Sequence, residues 1–90
     1  MTLETLVAKY IRNTEQVFKE IKIIKNNSAK LTEDKILGVI EAAKRYFDDA
    51  KYFQEKGKFE TSLVSIAYCE GLLDALKLLG AVKLSWSARK

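Results

Sequence analysis

The stretch Phe59 to Gly80, FETSLVSIAYCEGLLDALKLLG, constrains the fold more than any other part of the chain. Between Ser62 and Leu79 only Glu70, Asp74 and Lys77 are charged. At i, i+4 and i+7 they form one narrow polar stripe on a helix. The remaining positions are apolar or small nearly all the way round. Such a helix needs cover from other helices, so it reads as the central helix of a small bundle. A membrane span is disfavoured, because each charge in mid-span costs about 2.5–3.5 kcal/mol.

Ninety residues make a single domain with a modest core. The absence of proline and the presence of only four glycines favour long helices over a turn-rich β fold. One cysteine, Cys69, leaves no internal disulfide and no multi-thiolate zinc site. Histidine is absent, which removes the commonest general base, the commonest metal ligand and any Ser-His or Cys-His nucleophile pair. With no secretory signal pattern at the N-terminus, a cytoplasmic protein is expected.

Residues 3 to 25 carry Leu3, Val7, Tyr10, Thr14, Val17, Ile21 and Ile24 at alternating 4-3 spacing, the seam of a bundle helix. Thr2 is placed as its N-cap. Asn26, Asn27 and Ser28 start a loop that runs to Leu31. Thr32 caps the second helix, Glu33 to Lys56, and Leu31 is positioned to staple against Ile36 or Leu37. The predicted buried stripe is Ile36, Val39, Ile40, Ala43, Tyr46, Phe47, Ala50 and Phe53.

Gly57 stops that helix, and only Gly57 and Lys58 precede the next. So short a link predicts an antiparallel hairpin. Counting outward from it places Ile66 near Asp49, Tyr68 near Phe47 and Glu70 near Arg45. An interhelical ion pair, Glu70 with Arg45, follows. Ala67, Gly71 and Ala75 form a strip of small residues. Gly71 there implies close approach of another backbone, against the alternative of a tolerated glycine. After Gly80 the period changes: Val82, Leu84 and Trp86 alternate with polar residues, as in a strand. No second strand is evident, so this tail either lies extended in a groove of the bundle or pairs with another copy. The expected architecture is all-α: an up-down-up three-helix bundle over residues 1–80, with a short extended tail over 81–90.

Tyr46 to Gly80 resembles the archaeal family known as domain of unknown function 357. The resemblance rests on Asp49-Ala50, Tyr52-Phe53, Lys56-Gly57 and the run Ser65-Ile66-Ala67-Tyr68-Cys69-Glu70-Gly71-Leu72-Leu73-Asp74-Ala75-Leu76. Where that family usually has Ala in its AYAEG run, this chain has Cys69, a small residue that packs equally well. The resemblance implies a small helical bundle, sometimes joined to nucleotidyltransferase-like domains, and implies no activity.

Candidate chemistry is sparse. Glu70, Asp74, Asp48 and Asp49 are carboxylates that suit Mg²⁺ or Ca²⁺ but are also surrounded by Arg45, Lys44 and Lys77. No Glu-x-x-His pair exists, so ion pairing is the preferred reading and no metal or cofactor is expected. Tyr52, Lys56, Tyr68 and Glu70 are candidates to line a pocket near the hairpin. Residues 1–31 hold six Lys+Arg against three Asp+Glu; Lys9, Arg12, Lys19, Lys22 and Lys25 make the first helix basic, a solvated face or a weak nucleic-acid contact. Without His or a catalytic motif the chain is not expected to be an enzyme. The expected function is a self-associating, dimeric protein–protein interaction module using Tyr52, Lys56, Tyr68, Glu70, Gly71, Asp74 and Trp86. The alternative is an accessory nucleic-acid or nucleotide binder using the first helix.

Overall fold

A computed structural model describes residues 1–86. Three helices, α1 (Leu3–Glu20), α2 (Glu33–Glu55) and α3 (Phe59–Leu78), form the bundle, and two short strands, β1 (Lys22–Ile23) and β2 (Val82–Lys83), tie its ends. The expected all-α three-helix architecture is what forms.

Local chemistry fixes the helix ends. The Thr2 hydroxyl accepts from Thr5 N–H at 3.1 Å, and the Thr32 hydroxyl accepts from Lys35 N–H at 3.3 Å, so both predicted N-caps are in place. Leu31 and Ile36 share one apolar cluster, completing the staple at the start of α2, while Leu37 points outward. Both C-terminal stops are Schellman motifs. At Gly57, with φ of 72°, its own N–H bonds Gln54 C=O and Lys58 N–H bonds Phe53 C=O. At Gly80, also at 72°, Gly80 N–H bonds Lys77 C=O and Ala81 N–H bonds Leu76 C=O. A left-handed backbone is open to Gly at little cost, and here it reverses the chain twice.

The hairpin register is close to that expected. Tyr68 stacks on Tyr46 with ring centroids 4.4 Å apart. Nearer the turn, the buried Ser62 hydroxyl donates to Ala50 C=O at 2.6 Å. α3 makes far more contact with α2 than with α1. The main core joins Val7, Ile11 and Val17 of α1 to Ala43, Phe47 and Ala50 of α2 and to Ile66, Cys69 and Leu73 of α3. Ile36, Leu76, Ala81 and Val82 form a second cluster at the other end.

Two expectations are corrected. α1 ends at Glu20 rather than near Lys25, because Ile21 turns to extended backbone and Lys22–Ile23 become β1. β1 pairs antiparallel with β2, Lys22 opposite Lys83 and Ile23 opposite Val82, and Ile24 N–H donates to Ala81 C=O at 2.9 Å. The strand-like tail therefore finds its partner within the chain, and this partner was hidden inside the apparent α1 seam. Alternating β-branched residues satisfy both periods over so short a run. Residues 81–86 are docked; the last four residues of the expected tail lie outside the described residues.

The second correction concerns α3. It is not covered all round: Val64, Tyr68 and Leu78 are 69%, 54% and 84% exposed, with Ala67, Gly71 and Ala75 open between them. In a triangular bundle both neighbours of a helix lie on the same side of it. Its far side stays open unless something else covers it.

Candidate functional site

The functional candidates lie on three sectors of α3, which its 100° per residue rotation separates. Ser62, Ile66, Cys69, Leu73 and Leu76 point into the core. Tyr68 leans toward α2. Glu70 and Asp74 form the flank facing α1 and the tail.

On that flank Glu70 is buried, and the Thr14 hydroxyl of α1 donates to its Oε2 at 3.5 Å. One turn on, Trp86 Nε1–H donates to Asp74 Oδ1 at 2.7 Å. Each carboxylate thus receives a donor from a different part of the chain, 56 and 12 residues away. The polar stripe was expected to face the Arg45 side of α2. Instead it faces α1 and the tail, and Arg45 is exposed beside Tyr46, Asp48 and Asp49. Residues 68 and 70 are 200° apart on the helix, so stacking Tyr68 against α2 turns Glu70 away from it.

Between α1 and α3 runs a cleft of about 350 Å³ lined by Leu6, Tyr10, Leu63, Ile66, Ala67 and Glu70. Its walls are aliphatic apart from the Tyr10 ring, and Glu70 brings a carboxylate to it. One turn beyond Tyr10, Asn13 is buried and its amide Nδ2 has no hydrogen-bond partner among the described residues.

The predicted pocket of Tyr52, Lys56, Tyr68 and Glu70 does not assemble. Tyr52 is exposed at the end of α2, where the Lys56 ammonium lies 5.5 Å from its ring centroid. Tyr68 and Glu70 occupy different flanks of α3. At Gly71 a Cβ would meet nothing within 4 Å, so no backbone among the described residues approaches it. Trp86 is half-buried, with its indole N–H on Asp74.

Cys69 is fully buried, and this burial, with the nearby Glu70 and Asp48 carboxylates, pushes its thiol up to about 12. A thiol held protonated is a poor nucleophile. Among the described residues no three His, Cys, Asp or Glu side chains converge on a metal-sized site, and no helix is long and apolar enough to cross a membrane. Along α1 the exposed cations Arg12 and Lys19 alternate with exposed Glu4, Glu15 and Glu20.

Sequence reasoning missed Thr14 and Trp86 as the partners of Glu70 and Asp74. Thr14 left a signal, a hydroxyl in an otherwise apolar seam. Trp86 left the alternation of the tail, which does not say where the indole docks.

Comparison with curated proteins and with solved structures found no match. The family model described as "Protein of unknown function (DUF357)" matches residues 9–82, from Lys9 within α1 through α2 and α3 to the start of β2. The chain belongs to that family.

Proposed function

We propose that the protein is a non-enzymatic interaction module that self-associates through the open face of α3. The observation carrying this reading is a second 4-3 seam, Val64, Tyr68, Gly71, Ala75 and Leu78, directed away from the core. Burying a Val or Leu side chain contributes about 1.5–3 kcal/mol, so an exposed row of them favours a partner. The row is also self-complementary about Gly71. Val64 and Leu78 lie seven residues to either side of it, and Ala67 and Ala75 four. An antiparallel crossing on a two-fold axis at Gly71 sets Val64 of one copy against Leu78 of the other, and Ala67 against Ala75. Gly71 then lets the two backbones approach closely. This is the close approach its sequence position suggested, made between copies.

Sedimentation equilibrium tests it directly. A dimer is expected at about 100 µM, the range of a modest helical interface. Gly71→Arg should return a folded monomer, since a Cβ added there meets nothing within 4 Å among the described residues. A wild-type monomer at that concentration, or a dimer untouched by Gly71→Arg, would refute the reading.

A further inference from the structure

We infer that the strand end of the bundle is a docking surface for a nucleic-acid duplex, held at its phosphates by Lys22, Lys25, Lys30, Lys77 and Lys83. Two segments meet there, residues 21–32 and 75–86, and together they hold these five lysines and no Asp or Glu. The whole chain has 16 Lys+Arg against 12 Asp+Glu, so without the five the remainder is 11 against 12. The chain's entire positive excess therefore comes from this end. Folding gathers it: β1 and β2 set Lys22 opposite Lys83, and the Ser28 hydroxyl lies 3.7 Å from the Cβ position of Gly80. All five lysines are exposed.

Strand alternation decides where the central charges point. Ile23 and Val82 pack in the second apolar cluster, so Lys22 and Lys83 share the solvent face of the ladder. Directly opposed cations repel, and an anion set between them replaces that repulsion with attraction. The loop carrying Lys25 and Lys30 is fixed by the buried Asn27. Its amide donates to the Ile24 and Leu31 carbonyls at 3.1 and 3.0 Å and accepts from Leu31 N–H at 2.8 Å. The flanking acids are few: Glu20 accepts from Gln16 at 2.7 Å, and Glu33 and Asp34 lie in the first turn of α2. Between the loop lysines the exposed Asn26 and Ser28 are side chains of the kind that contact phosphates. A bilayer anchor needs an apolar face, whereas this loop bares no large apolar side chain and the second segment bares only Leu78 and Leu79 among the described residues. A duplex suits the surface better than a single strand, because the one aromatic in the two segments, Trp86, is half-buried with its N–H on Asp74. None of the five lysines belongs to the α3 row, so neither reading depends on the other.

The test uses the full chain and a fluorescent DNA duplex of about 20 base pairs, followed by anisotropy. A Kd of about 1 µM is expected at about 50 mM salt, weakening about a hundredfold by about 200 mM as roughly four phosphate contacts are lost to counterions. Lys22→Gln with Lys83→Gln should weaken binding by about tenfold at low salt and lower the salt slope by about two. This pair removes a repulsion, so the thermal melt should not fall, and the loss is not one of folding. Arg12→Gln with Lys19→Gln makes the same change in net charge on α1 and should alter Kd by less than about twofold. A single strand of equal length should bind more weakly. Polyglutamate should not bind, nor should vesicles of phosphatidylcholine and phosphatidylglycerol in equal parts. Absent or salt-insensitive duplex binding, equal losses in the two double variants, a tighter single strand, or binding to the vesicles or polyglutamate would overturn the inference.

Discussion

The two flanks of α3 are held by different physics. Toward α2 the contact is close and mostly apolar: Tyr46 stacks on Tyr68, Ser62 bonds the Ala50 carbonyl, and Ala43, Ala50 and Cys69 let the axes approach. Toward α1 and the tail it is laced with polar groups and less completely filled. Glu70 meets Thr14, Asp74 meets Trp86, Asn13 keeps an unbonded amide, and the cleft remains. The first flank joins segments linked by a two-residue turn, so closing it costs little chain entropy. The second joins the ends of the chain, where hydrogen bonds select one docking geometry among many that apolar packing alone would permit.

The largest effect expected is in the core that both flanks border. Phe47→Ala, which removes a buried ring set edge-on to Phe18 at 5.3 Å, should cost about 3–5 kcal/mol in denaturant unfolding. A loss under about 1 kcal/mol would mean that this core tolerates a cavity. On the polar side, Thr14→Val should cost about 1.5 kcal/mol, the low end for a bond to a charged group given its length. In a Glu70→Gln background the same change should fall within about 0.5 kcal/mol of neutral, whereas Arg45→Ala should add to Glu70→Gln without coupling. Strong coupling of Arg45 to Glu70 would restore the interhelical pair read from the sequence.

Cys69 sharpens the contrast through pH. In the unfolded chain its thiol ionises near 9, while the buried thiol stays protonated up to about 12. The folded state therefore holds one more proton between those values. Stability is unaffected below about 9 and falls above it, by about 1.4 kcal/mol per pH unit from this group. Cys69→Ala should show a shallower decline over the same window, measured by urea unfolding; identical slopes would place the thiol in contact with water. The smallest effect belongs to Asn13→Leu. Replacing a buried amide whose donor is unsatisfied should raise stability by about 1 kcal/mol, seen as a higher Tm. A drop instead would show that the Asn13 carbonyl oxygen holds a bond worth more than the orphaned donor costs.

What was legible in the sequence follows from range. Caps, glycine stops and the hairpin register depend on residues a few positions apart, and Thr2, Thr32, Gly57 and Gly80 act as their chemistry dictates. The β1–β2 pair joins residues about sixty apart, and Ile21 to Ile24 continues a helical seam as readily as it alternates. The candidate site was read as one cluster because Tyr68 and Glu70 are near neighbours in sequence. Their directions around α3 separate them, and only the placement of α1, α2 and the tail decides which direction matters.

The β1–β2 ladder makes the chain from Ile24 to Ala81 a closed loop with a neck two residue pairs wide. Tension applied at the termini would load this neck before it reached the α2–α3 hairpin. Lys22 and Lys83 face each other across it, and like charges directly opposite weaken a strand pair. Added salt screens that repulsion, so ionic strength acts on this protein as a drawstring, tightening the loop in which the hairpin is held.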